Sequence, residues 1–534
     1  MDSSSASGGG VSLPISMSSS SLHLWRRHLC LPCPDSSGRT ALIVLALLLI
    51  TVLAVLIHGY HLGADDAAIY VPAIKSVADP SLYPFGSEFF MSHAHLSFFP
   101  NIVGDSARLT RLPIDFVIFA WHAASIFLLL LASWRLASVC FLRDSARWGA
   151  AVLLAALLSV PVAGTALLIM DPYLTARSLS TPATIFAIAC CLSNRRKQAL
   201  AWLLFTALVH PQMSVFAAAF LGCLELARRR SSRPENAAAL GLAAFVPFLF
   251  PLHAAEGAAR DALVSRTYFF VYQWAWYEWA GIVAPLALLW WLSSTTPRGT
   301  TPAFRTLAGA MIPFGLLFTA AGMVVGFPAW LENYTRLQPM RSFHLVYVVL
   351  FVLLGGLIQE YALKSSVKRW LGLFVPLAAG MWFLQQSTFP ASLHVEWPGS
   401  HSENTWNTAF LWIRGHTPKD AVFALDPDYM RSPGEDMHGF RAVAERSVLA
   451  DTVKDSGAVS LFPQLADDWR SQTQAESGWK NFQQQDFEKL AAAYPVTWIL
   501  TRTPGPSGLA CPYENRDFAV CQISAPSGVL RAHN

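Results

Sequence analysis

Long apolar runs separated by short polar loops decide the class of this chain before any motif is read. A nearly unbroken run covers Ala41 to Ile57, and others follow at about 114–138, 148–169, 179–193, 198–209, 213–227, 237–253, 277–294, 305–327, 342–360 and 370–386. Most approach the roughly 20 residues that a perpendicular helix needs to cross a bilayer core. Those at 179–193, 198–209 and 213–227 are short, and tilted, broken or re-entrant segments of that kind line cavities in membrane proteins. A charged share of 13% beside a hydrophobic share of 54% falls well below the roughly 25% charge of a soluble domain. The expected fold is a multi-spanning α-helical membrane protein with about eleven spans, followed by a soluble α/β domain.

The cations set an expected topology. Threading the runs alternately puts Arg143 and Arg147, Arg195 to Lys197, Arg228 to Arg230 with Arg233, Arg298 with Arg305, and Lys364 with Lys368 and Arg369 on one side. By the positive-inside rule that side is cytoplasmic. The N-terminal tail lies there too. Residues 1–38 are rich in Ser and Gly and bury too little surface to order. The run after Arg39 lacks a small-x-small cleavage site and is expected to stay as the first span. Residues 39–389 then form the membrane domain, with a long first outer loop at 60–112. Within it Ala67, Tyr70, Val71, Ile74 and Val77 share one face at helical spacing, which predicts a helix lying on the membrane surface. The aromatic stretch from Arg266 to Trp279 suits the headgroup zone.

From residue 390 to 534 the composition turns soluble, on the outer side. Helices are predicted over Trp406–Gly415, Phe462–Trp469 and Phe487–Ala493, and strands over Ala421–Leu425, Ser447–Ala450 and Val496–Thr501, an alternation that implies an α/β domain. Cys511 and Cys521 flank a final hairpin and are a candidate disulfide in an oxidising compartment. Cys30-x-x-Cys33 stands alone, without the second pair of a zinc site.

The net charge of +4 is spread over loops and forms no basic patch, which argues against nucleic acid as a partner. The chain has no Walker sequence, no Gly-x-Gly-x-x-Gly and no His-Glu-x-x-His. Candidate chemistry instead gathers at the outer ends of spans. Asp65-Asp66 opens the first outer loop: one carboxylate suffices to cap the following helix, which leaves a second that a raised pKa would make a general base. Arg177, His210, and Arg336, Gln338 and Arg341 fall at similar depth, where polar groups are costly unless paired or used. Arginine at such ends either snorkels to the interface or grips phosphate through its fork.

These strings carry a resemblance. Gly63-Ala-Asp65-Asp66-Ala-Ala-Ile-Tyr70-Val-Pro-Ala-Ile74 is similar to the first-loop motif of uncharacterised bacterial members of the GT-C superfamily of membrane glycosyltransferases. Thr175-Ala-Arg177-Ser-Leu-Ser, Leu208-Val-His210-Pro, Gln338-Pro-Met-Arg341-Ser-Phe343 and Trp412-Ile-Arg414-Gly-His-Thr-Pro418-Lys-Asp-Ala421 are similar to theirs as well. The likeness spans most of residues 40–500. It implies a bacterial inner-membrane enzyme of the cell envelope that moves a sugar from a polyprenyl-phosphate donor to an acceptor on the outer, periplasmic face, with inversion. Asp65 or Asp66 would be the base, with Asp65, the earlier in the loop, ranked first. Arg177, Arg336 or Arg341 would steady the leaving phosphate, with His210 and Gln338 as further binding residues. Some members of the superfamily need a divalent metal. The acidic pair here has no dedicated ligand cluster around it, so no cofactor is expected. A transporter or lipid flippase, or a noncatalytic scaffold of the same fold, are the competing functions.

Overall fold

The computed structural model describes residues 36–229, 255–327 and 329–523. The tail with Cys30 and Cys33, the apolar run at 237–253, and Arg230 and Arg233 lie outside the described residues. The chain divides into two units, Met1–Leu48 and Leu49–Asn534.

Helix α1 (Ser36–His58) begins in the first unit. The long loop that follows holds α2 (Ala67–Ala78), α3 (Glu88–Ala94) and α4 (Phe99–Thr110). The membrane part continues with α5 (Ile114–Cys140), α6 (Asp144–Ala156), α7 (Ala176–Leu192), α8 (Arg196–Val209) and α9 (Pro211–Arg229). After α10 (Gly257–Val264) come α11 (Trp276–Thr295), α12 (Pro302–Gly326), α13 (Phe343–Ile358) and α14 (Val367–Thr388).

Among the described residues, five helical stretches are long and apolar enough to cross a membrane: Gly38–His58, Ile114–Cys140, Pro302–Gly326, Trp330–Leu363 and Val367–Thr388. The protein is thus an integral membrane protein. Other runs read as spans form shorter helices, such as α6 with 13 residues and α8 with 14. Helix α14 buries only Met381 and Gln385 and offers Leu371, Val375 and Phe383 outward, the exposure of a lipid-facing rod. Helix α7 is the opposite case, buried along nearly its whole length despite Pro182.

Helix α2 departs from the surface-helix expectation. It buries Ala67, Ala68 and Tyr70 through Lys75, not one stripe. The reason is coverage from several sides, by α4 and by α16 (Phe440–Ala444) of the C-terminal domain. Lys75 can be buried because Asp115 and Glu445 each meet its ammonium at 2.8 Å and Ala442 O accepts at 2.9 Å. Arg414 closes the ring, 2.6 Å from Asp115 and 2.9 Å from Glu445. This network joins the loop after α1, the start of α5 and the C-terminal domain.

The domain itself begins with α15 (Thr405–His416), capped by Asn404, whose side chain accepts from Trp406 N and Asn407 N. Its sheet has the order β2-β1-β3-β5-β4, with β1 (Val422–Ala424), β2 (Ser447–Val448), β3 (Trp498–Arg502), β4 (Ala510–Glu514) and β5 (Phe518–Gln522). Strand β1 pairs in parallel with β2 and β3, while β5 runs antiparallel to β3 and β4. Cys511 and Cys521 form a disulfide across the last hairpin. The remaining helices are α17 (Asp455–Leu461), α18 (Ala466–Ala475) and α19 (Gln484–Ala493). The helix expected over Phe462–Trp469 is two helices meeting there, since Pro463 removes the donor that would carry the first one on.

Candidate active-site cleft

The chain leaving α1 is held by the chain entering the C-terminal domain. Tyr60 N donates to His394 O at 3.0 Å and Glu396 N to Tyr60 O at 2.8 Å, and farther on Asp65 N donates to Met437 O at 2.8 Å. Asp65 is thereby held at φ +51, an unfavourable region for a non-glycine residue. The turn aims both carboxylates of the acidic pair into a cavity of about 260 Å³.

Neither aspartate caps α2 through its side chain, although Asp66 occupies the N-cap position. Their oxygens go elsewhere. Asp65 accepts from Tyr173 OH at 2.8 Å and from Lys454 Nζ. Asp66 meets Lys454 Nζ at 3.2 Å and Arg177 Nη1 at 3.8 Å. Arg177 itself is buried and anchored by Asp171 at 2.6 Å. The Thr175 and Ser178 side chains form the capping box that starts α7 and sets the arginine on its first turn.

Arg341 approaches from the turn before α13. It lies over the Tyr268 ring at 5.8 Å, and its Nε is buried without a hydrogen-bond partner. Arg266 enters from the loop after α10, donating to Ser456 Oγ at 2.5 Å and to Val453 O. Four cationic side chains, Arg177, Arg266, Arg341 and Lys454, thus line a cavity whose acids are Asp65 and Asp66.

The expected raised pKa at the acidic pair is not what the site produces at Asp66. Desolvation pushes its carboxyl up, but Lys454, then Arg177 and Arg341, outweigh it and hold the group well below the usual carboxylate range. Burial also acts to strip Lys454 of its proton, and Asp65 and Asp66 overcome it and raise the ammonium above its ordinary value. Nearby His93 is neutral at pH 7, because burial pushes it down to about 4 against the pull of Asp66.

Of the residues singled out from sequence, Asp65, Asp66, Arg177, Gln338 and Arg341 line this one cavity. His210 and Arg336 do not. His210 is buried just before α9, whose Gln212 donates to Leu337 O at 3.0 Å. Arg336 turns to Asn333 Oδ1 at 3.3 Å. Sequence reasoning missed Lys454, Asp171 and Tyr173 and read Arg266 as the start of an aromatic stretch. Asp171 and Tyr173 stand in the same string as Arg177 and were open to notice. Lys454 carries no local signal.

No family model and no curated protein matches the sequence. Among solved structures, the chain is similar to the archaeal oligosaccharyltransferase AglB from Archaeoglobus fulgidus in complex with an inhibitory peptide and a dolichol-phosphate. That match has 13% identity and a TM-score of 0.40, covering 86% of this chain and 69% of that one. The apo form of the Archaeoglobus fulgidus oligosaccharyltransferase matches over the same shares, at 13% identity and a TM-score of 0.42.

Proposed function

We propose that the protein is a GT-C-type glycosyltransferase that moves a sugar from a polyprenyl-phosphate donor to an acceptor hydroxyl at the outer face of the membrane, inverting the anomeric carbon. The observation that carries this reading is the charge of the cleft, where four cations face two carboxylates. A cavity with that balance takes an anion, and a phosphate beside a general base is the combination glycosyl transfer needs. Beyond Arg341 a crevice of about 20 Å³, walled by Ser180, Thr181, Thr184 and His344 as well as Met213, Phe216 and Leu345, opens between α7, α9 and α13.

In the reaction the acceptor oxygen bonds to the anomeric carbon as the bond to the phosphate oxygen breaks, and the hydroxyl proton passes to a carboxylate. We assign that carboxylate to Asp66. Both oxygens of Asp65 are committed to Tyr173 and Lys454, whereas those of Asp66 have contacts of only 3.2 and 3.8 Å. A depressed pKa makes Asp66 a weak base while Lys454 and Arg177 face it. Donor phosphate competes for Lys454, Arg177 and Arg341, and as they turn to it Asp66 regains basicity while the leaving group is stabilised. Lys454 lies on both carboxylates, so an ion held there would have to displace an ammonium, and the reading is metal-independent.

The test is transfer from radiolabelled polyprenyl-phosphate sugars in purified membranes, without added Mg²⁺ or Mn²⁺. Asp66→Asn is expected to lose about a hundredfold or more in rate, the usual scale for a positioned base, with expression and melting temperature kept. Asp65→Asn is expected to be milder. Full transfer by the double Asn variant would overturn the mechanism, and absence of transfer from every donor by the unaltered protein would favour the flippase or scaffold.

A further inference from the structure

Beside the cleft, three segments distant in sequence bring His61, Glu396 and His438 together. One donor atom from each lies within 4.8 Å of the others. The backbone builds this meeting: Tyr60 bridges Val395 in parallel, and Ala64 bridges His438 antiparallel. His61 and His438 are completely buried.

Each side chain is held as a ligand would be. His438 Nδ1 is 2.9 Å from Glu435 O, the contact to a backbone carbonyl that fixes a ligating imidazole and leaves Nε2 to face the metal. That Nε2 is 2.8 Å from Glu396 Oε1. Glu396 is oriented in turn by Leu62 N at 3.2 Å and Asn407 Nδ2 at 3.4 Å. His61 supplies the independent observation. Neither of its ring nitrogens has a hydrogen-bond partner, although the residue is wholly buried, and Nδ1 stops 3.6 Å from Glu396 Oε1. A buried polar nitrogen left unpaired forfeits its hydration with nothing in return, which a bound ion would restore. A tetrahedral ion with ligands at about 2.0–2.1 Å requires donor separations of about 3.3 Å. The two separations from Glu396 Oε1, 2.8 and 3.6 Å, bracket that value, and the histidine nitrogens lie within 4.8 Å of each other, so the two imidazoles would close on the ion as it binds.

We propose that His61, Glu396 and His438 bind a divalent ion of the zinc class, with a structural role. Two imidazoles and one carboxylate favour Zn²⁺ over Mg²⁺ or Ca²⁺, which prefer all-oxygen sets. A turn of the Asn407 amide, whose Oδ1 is buried without a partner, would offer a fourth donor. The ion would clamp the exit of α1 to the C-terminal domain, and with it the turn that carries Asp65 and Asp66. The competing account is a plain His438–Glu396 ion pair with His61 stacked on Phe389 at 3.9 Å.

The test is the metal content of the full-length protein, purified in detergent without a polyhistidine tag. About one zinc-class ion per chain is expected, lost from His61→Gln and His438→Gln and kept by Asp66→Asn. Chelation should lower the melting temperature, and ZnCl₂ but not MgCl₂ should restore it. Should the His variants fail to express, chelation and readdition on the unaltered protein still decide the matter. Metal-free protein whose melting is indifferent to added zinc would overturn the site, as would an ion that survives both His substitutions or departs with Asp66→Asn.

Discussion

At the scale of single residues, the cleft separates charge from geometry. Arg341→Lys keeps the cation but removes the planar fork that grips two phosphate oxygens, so donor KM is expected to rise about tenfold with the melting temperature unchanged. Unaltered donor KM would return Arg341 to a snorkelling role. A second residue reports on pH. Glu476 is fully buried, and burial pushes its carboxyl well above the usual range, with Asp426 and Asp451 adding in the same sense. The folded protein then keeps a proton that the unfolded chain has released, so stability falls as pH rises above about 4.5 towards the folded value. Glu476→Gln should flatten the decline in melting temperature as pH rises above about 4.5; a decline of equal slope in the variant would refute the assignment. The acidic pair was legible in the sequence because two adjacent carboxylates exceed what a cap needs. Lys454 was not, because its contact with Asp65 closes over 389 residues and no short string encodes it.

At the scale of elements, alternation revealed the strands of the C-terminal domain, and turn chemistry decided the rest. Periodicity located α2 but misjudged its surroundings, since a helix covered by protein and one resting on lipid bury the same apolar residues. Helix packing was illegible for a similar reason. Helices α6 and α13 cross with their backbones in contact: a Cβ added at Gly355 would stand 2.5 Å from Gly149 O and 2.7 Å from Ala150 Cα. Backbone atoms cannot rotate away as a side chain can, so small residues let the helices approach. Gly355→Val is expected to destabilise by about 1–3 kcal/mol or more, read as a lower melting temperature. Since α13 follows Arg341 and the loop after α6 carries Asp171, transfer should fall as well. A variant as stable as the parent would show that the crossing has slack.

For the whole molecule, composition announced the membrane class, and the loop cations proposed an orientation that can be checked directly. A reporter active only in the cytoplasm should work when fused after Arg196 and fail when fused after His394. Activity at both positions would place the C-terminal domain, and the cleft with it, on the wrong side for an outer-face substrate. The count of spans was less legible, because short apolar helices such as α8 look alike in sequence whether they cross the bilayer or fill the protein interior. The hold of Lys454 on Asp65 also has a consequence in time. At about 5–20 residues per second, the ribosome needs about 20–80 s to travel from one partner to the other. For that interval the growing chain carries its acidic turn without the lysine, so the cleft is complete only after the C-terminal domain has been made and folded.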